Sequence, residues 1–219
     1  MQFIYDNLTA TLIASTVTLI LINLQIQASK KNISKTSRHV VKQQAQSFAS
    51  WMEKDLAWLG QNMNSEDQVP VQNPQNTEIG EEEVRHTHQF TFYRNKMSDE
   101  EEGGDDNKIL VTTRYRVKKV EEQPKPQYQL TRQTKTEGGG GWSGEDGKSS
   151  PMLGYFQLDL LNRNAQLVPS PASNFEDVEM IRVRFSAYPP FANEETVLPF
   201  THIGSFTLVR QDDGSFSSR

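Results

Sequence analysis

The chain has 219 residues, 35% of them hydrophobic, with 28 acidic against 23 basic side chains and a net charge of -5. That balance leaves no electrostatic footprint for nucleic acid, and the absence of cysteine removes disulfides, thiolate metal sites and cysteine nucleophiles together. With the apolar run near the N-terminus set aside, about 190 strongly polar residues remain, enough for one domain of ordinary size.

Leu8–Ser29, LTATLIASTVTLILINLQIQAS, is an uncharged run of 22 residues bounded by Asp6 and Lys30-Lys31. As a helix rising ~1.5 Å per residue it reaches ~33 Å, enough to cross a ~30 Å hydrocarbon layer. It reads as a membrane anchor. A cleaved secretory signal needs basic residues before the run, and residues 1–7, MQFIYDN, carry none, although Ala28 and Ser29 supply small residues at its end. A buried helix of a soluble domain needs apolar cover all round, which so polar a remainder does not provide. Within the run, Thr9, Thr11, Ser15, Thr16 and Thr18 can return hydrogen bonds to preceding carbonyls. Asn23 and Gln25 call for a partner on a neighbouring helix or a place at the membrane interface.

Helical patterning continues past the anchor. From Lys30 to Leu59 there is neither Pro nor Gly, and Val41, Ala45, Phe48, Met52, Leu56 and Leu59 recur at intervals of three and four. The spacing predicts an amphipathic helix whose stripe seals a core, with Trp51 and Trp58 as flanking packing residues and Gly60 as a stop. Residues 1–60 are therefore expected to form one long helix, or two with a break near Asn32–Thr36.

Residues 61–85, with Pro70, Pro74 and Glu81-Glu82-Glu83, read as a linker, and residues 86–219 as an antiparallel β domain. The clearest strand is Ile109–Val120, where Val111, Thr113, Tyr115 and Val117 alternate with Thr112, Arg114, Arg116 and Lys118. Gln89–Tyr93, Tyr128–Arg132, Gly154–Leu161, Met180–Ala187 and Ser205–Val209 complete a set of about six, joined by turn-rich segments without helices. The fold class is α+β, a long N-terminal helix packed on an antiparallel sheet.

Residues with chemistry are sparse. His86 and His88 share one strand face, but no third ligand stands at a recognisable spacing, so they are expected to be surface residues. Asp99–Asp106 and Glu145-Asp146 offer oxygen ligands for calcium, yet lack the alternation of an EF-hand loop, and solvated charge is the preferred reading. Gly138–Gly141 precedes Trp142 rather than a phosphate-binding helix. The expectation is a non-enzymatic protein with no metal and no cofactor.

A long helix, apolar and then amphipathic, followed by an antiparallel sheet resembles the type IV pilin and pseudopilin family. Gln44–Met63, QAQSFASWMEKDLAWLGQNM, is similar to the second half of the long helix in the larger minor pseudopilins, the J-type of type II secretion, and in the W-type minor pilins. Tyr128–Arg132 and Asp177–Phe185 resemble the strands that enter the sheet centre in those proteins. The family's leader Gly, the Glu at its fifth mature position and its helix-kinking Pro have no counterpart here. Asp6 is the nearest acid, to be weighed against a plain interfacial acid or helix cap.

The resemblance implies a filament, pseudopilus or tip subunit held in lipid until its helix joins those of other pilin-like subunits. Asp6 would then set register, Thr9, Asn23 and Gln25 would mediate helix association, and Val41, Phe48, Met52, Leu56 and Leu59 would hold the cap. It also implies an inner-membrane anchor with the C-terminal domain outside the cytoplasm. The basic residues after the anchor, Lys30, Lys31, Lys35, Arg38 and Lys42, favour the opposite orientation. The alternatives are a tethered binding module acting through loops 99–107 and 137–150, and a subunit of another extracellular or viral assembly.

Overall fold

The computed structural model describes residues 2–61, 63, 69–79, 84–97, 108–121, 126–143, 147–149, 151–189, 202–211, 214 and 216–218. The chain divides into two compact units, Met1–Val40 and Val41–Arg219. One uninterrupted helix, α1 (Gln2–Leu56), contributes to both. No break occurs at Asn32–Thr36, where neither Pro nor Gly is present to cause one.

In the first unit α1 contains an 18-residue window of mean hydropathy 1.7, none of it buried. Leu8, Leu12, Leu19 and Ile20 are each at least 60% exposed. A helix of this length and composition can cross a membrane.

The second unit closes the last part of α1 over a sheet of nine described strands. They are β1 (Gln75–Ile79), β2 (Val84–Met97), β3 (Lys108–Glu121), β4 (Gln127–Thr136), β5 (Gly147–Lys148), β6 (Met152–Leu161), β7 (Met180–Tyr188), β8 (His202–Arg210) and β9 (Phe216–Ser218). The order is β1-β2-β3-β4-β6-β7-β8-β9, with β5 beside β4, and every pairing is antiparallel. β1 lies inside the stretch read as a linker. Its sequence, QNTEI, is polar because it borders the sheet, so it carries no alternating apolar signal. β5 and β9, of two and three residues, are too short to show one.

Two half-sheets meet weakly in this order. β4 and β6 share the single register pair Tyr128↔Leu153, whereas β3 and β4 run together from Val111↔Thr136 to Glu121↔Gln127. The helix spans that gap. Val41, Ala45, Phe48, Met52, Leu56 and Leu59 are each at most 3% exposed. Phe48 packs edge-on against Phe185 of β7 (4.8 Å between ring centroids) and Phe156 of β6 (6.4 Å). One turn on, Trp51 packs edge-on against Tyr115 of β3 at 5.9 Å. At ~1.5–3 kcal/mol for each large apolar side chain buried, the stripe contributes roughly 10 kcal/mol toward holding the two halves together.

Two glycines have positional reasons. After Leu56 the chain turns, and Gly60 takes φ +71°, where it ends the helical path and donates its N–H to the Tyr93 carbonyl at 3.0 Å. A Cβ on Gly204 of β8 would stand 2.3 Å from Cζ of Phe185, so the β7–β8 face admits no side chain there.

Candidate functional site

Every side chain described along the anchor is exposed, so its surface pattern bears directly on what it can contact. The hydroxyls are satisfied within the helix. Thr9 Oγ1 donates to the Tyr5 carbonyl (2.6 Å), Thr11 to Asn7 (2.7 Å), Ser15 to Thr11 (2.6 Å), Thr16 to Ile13 (2.8 Å) and Thr18 to Ala14 (2.8 Å). These residues therefore add little penalty in lipid while leaving the surface small. Among the described residues the carboxamides of Asn23 and Gln25 find no partner, and both are exposed.

The helix does not place the association residues together. Thr9, Thr16 and Asn23 recur every seven residues, drifting by only ~20° per step, and form one seam. Gln25 lies two residues beyond Asn23, ~160° round the axis, with Thr11 and Thr18 on its own seven-residue seam. Ala14 and Leu21 fall between those three, and Ala28 follows Gln25, at intervals of three and four. The anchor thus carries two seams on opposed faces, the second invisible while hydroxyl and amide residues are simply counted. The backbone of Asp6 is helical, and its side chain lies outside the described residues.

In the second unit the helix end is tied to the sheet by charge. Asp55 accepts from Arg132 of β4 through Nε at 2.6 Å and Nη2 at 3.2 Å, and from the Tyr115 hydroxyl. Asp55 and Arg132 are 19% and 18% exposed. Burial, and then the adjacent Asp55 charge, hold the Tyr115 phenol well above its ordinary pKa, so it stays a donor. Of the two tryptophans expected to pack, Trp51 does so, whereas Trp58 is 47% exposed beneath the Arg94 guanidinium, 4.1 Å from its ring centroid.

His86 corrects the expectation of a surface strand residue, being 3% exposed. Because β6 is barely paired with β4, its N–H groups need other acceptors, and β2 supplies them from side chains. The Phe156 N–H donates to His86 Nδ1 (3.3 Å) and the Leu158 N–H to Thr87 Oγ1 (3.1 Å). His86 also stacks on Tyr128 at 4.6 Å. Burial first, and the neighbouring His88 second, push its pKa down to about 4, which keeps Nδ1 available as an acceptor. The β-period shows that His86 and His88 share a face but not which neighbour covers it.

Asp159 of β6 is 1% exposed and surrounded by cations. Arg182 Nη2 (3.0 Å) and Arg184 Nη2 (3.1 Å) of β7 donate to Oδ2, Arg85 Nη1 of β2 lies 3.5 Å from Oδ1, and Gln157 Nε2 donates at 3.0 Å. The Nε atoms of Arg182 and Arg184 are buried without a hydrogen-bond partner among the described residues. An open cleft of about 340 Å³ adjoins the group, lined by Arg85, Asp159, Asn76, Leu167 and Pro169 among others. Nothing in the pattern DLLNR or IRVRF indicates that these charges converge, since the residues lie on three strands.

The acidic run Asp99–Asp106 and the pair Glu145-Asp146, the candidate calcium ligands, lie outside the described residues. So do loop 99–107 and part of loop 137–150. No protein-family model, curated protein or solved structure matches the chain.

Proposed function

We propose that the protein is a non-enzymatic, membrane-anchored structural subunit that assembles through its N-terminal helix, in the manner of a pilin-like filament, pseudopilus or tip. The two opposed seams on the anchor carry this reading. A monomeric tether needs no polar seam, and a two-fold dimer uses one patch on each copy. A helix with small and amide-bearing residues on both sides is suited to neighbours on both sides, which is what an open assembly requires. Moving from lipid to a bundle of such helices preserves the apolar environment, while Asn23 and Gln25 gain the partners they lack on the isolated helix.

The resemblance of Gln44–Met63 to pseudopilin helices supports the same reading and would imply a β domain outside the cytoplasm, with Asp6 setting register between adjacent helices. The partners are then other pilin-like subunits, with lipid as the environment before assembly.

The cysteine-free chain makes the test direct. Thr16→Cys and Thr18→Cys, introduced singly and together, are oxidised in isolated membranes. Each single variant is expected to give a disulfide dimer, and the double variant a ladder of higher species. Monomer throughout would refute assembly and favour the tethered module, and crosslinking at one seam alone would reduce the assembly to a dimer. Protease accessibility in intact cells reports the side of the β domain, and a cytoplasmic domain would exclude the pilin-like form.

A further inference from the structure

The two ends of the apolar run carry opposite charge. Asp6 bounds one end, whereas Lys30 and Lys31 bound the other and Lys35 follows, with no acidic residue between Asp6 and Glu53. Lys30, Lys31 and Lys35 lie on the uninterrupted helix α1, within the first unit, and all three are exposed. None of them is ion-paired with a described residue.

The helix sets where these charges stand. Lys31 and Lys35, four residues apart, lie within ~40° of each other round the axis and differ by ~6 Å along it, and Lys30 stands ~100° from Lys31. A bilayer of ~40–45 Å overall with an apolar layer of ~30 Å leaves ~5–7 Å of headgroup on each side. When Leu8–Ser29 fills the apolar layer, Lys30 and Lys31 enter the headgroup layer at its inner border and Lys35 reaches its outer one. The three ammonium groups therefore stand at the depth of the lipid phosphates, and no carboxylate on this part of the helix competes for them. An ammonium on a flexible stem is a point charge with three donors, suited to mobile phosphate oxygens rather than to one fixed planar partner.

From this placement we propose that Lys30, Lys31 and Lys35 form a headgroup site that gathers anionic phospholipid around one end of the anchor. The site goes beyond the assembly reading and rests only on the anchor lying in a bilayer. Lipid is favoured over an acidic protein because the lysines follow the apolar run within six residues, so lipid phosphate is the first anion they meet. Each lysine near an anionic surface favours association ~5-fold, within a screening length of ~8–10 Å at moderate salt.

The test uses the full chain with Asn32→Cys, an exposed position between Lys31 and Lys35, the thiol carrying a fluorophore, reconstituted in phosphatidylcholine bilayers. A minority lipid, either phosphatidylglycerol or phosphatidylcholine, bears a nitroxide quencher high on its acyl chain. Phosphatidylglycerol is expected to be enriched at the label at least ~5-fold in low salt, and to lose that preference in 1 M salt, where screening shortens to ~3 Å. Lys30→Gln, Lys31→Gln and Lys35→Gln together should abolish the preference, and Arg at the same three positions should retain it. Gln keeps the helix propensity of Lys, so the loss reports charge. Equal quenching by the two lipids overturns the proposal, as does a preference that survives the Gln replacements. Lysine-dependent crosslinking of Asn32→Cys to a protein in native membranes, without a lipid preference in the bilayers, overturns it too and assigns the lysines to an acidic partner. The same fluorophore at Val17→Cys, read with the nitroxide moved to the acyl terminus, separates the site from the anchor. Quenching at Val17 without a preference at Asn32 removes this site alone, whereas no quenching at Val17 removes the membrane anchor itself.

Discussion

Replacing Asp55 with Asn is expected to destabilise the β domain by about 2–3 kcal/mol. Asp55 sits in the last turn of α1, where a carboxylate opposes the helix dipole, so an unpartnered acid there would make its removal neutral or slightly stabilising. Its tertiary partners reverse that sign. It accepts two bonds from Arg132, at 2.6 and 3.2 Å, and one from Tyr115. Breaking a fully buried ion pair costs ~3–5 kcal/mol. Exposures of 19% and 18%, together with the acceptor oxygen that Asn retains, reduce this to the stated range.

Urea unfolding of the full chain in detergent micelles measures the loss, with tryptophan fluorescence as the probe because Trp51 lies 5.9 Å from Tyr115. A slope of ~2 kcal/mol per molar urea converts the change into a midpoint lower by ~1–1.5 M. Arg132→Gln should cost a similar amount, and the double variant little more, giving a coupling energy of ~2 kcal/mol. Tyr115→Phe removes one bond of the three and should cost ~1 kcal/mol. A stabilised or unchanged Asp55→Asn protein, or strictly additive single variants, would refute the claim that this carboxylate ties the helix to β3 and β4.

Acid should weaken the junction between the half-sheets. The His86 pKa is about 4 in the fold against 6.5 in the unfolded chain, so the unfolded state takes the proton first as pH falls. Stability is then lost between about pH 6.5 and 4, by up to ~3 kcal/mol, and levels off below that range. His86→Asn, which keeps an acceptor without a titrating ring, should remove this component when the two pH profiles are subtracted. Asp159→Asn leaves three guanidiniums around a neutral amide and should lower stability by ~3 kcal/mol in the same urea assay. Gly204→Ala should cost ~1–3 kcal/mol, since its methyl would stand 2.3 Å from the Phe185 ring and displace the partner of Phe48. Leu at Thr9 and Asn23 in the Thr16→Cys chain, or at Thr11 and Gln25 in the Thr18→Cys chain, should each remove helix crosslinking at its own face while preserving membrane insertion.

Local periodicity made most of the architecture legible. An uncharged run of 22 residues needs only its own length and composition to be read as able to span a membrane, because lipid demands a helix whatever the remainder of the chain does. The stripe from Val41 to Leu59 is visible for a related reason, since three- and four-residue spacing is a property of the helix itself. Alternation in Ile109–Val120 marks β3 in the same way. β1 escaped because a short polar strand at the sheet border owes its existence to pairing with β2, which no local pattern encodes.

The sequence alone therefore determined the elements whose cause is local, namely the apolar anchor, the amphipathic continuation and the central strands. Tertiary structure alone decided which charges and rings meet. It brought Asp55 to Arg132 across 77 positions and Asp159 to Arg184 across 25, and it turned His86 from a surface residue into a buried acceptor for β6. Those pairings follow from strand order and from the gap between β4 and β6. They are set by how the whole chain closes, because buried donors and charges must find partners wherever the sheet places them.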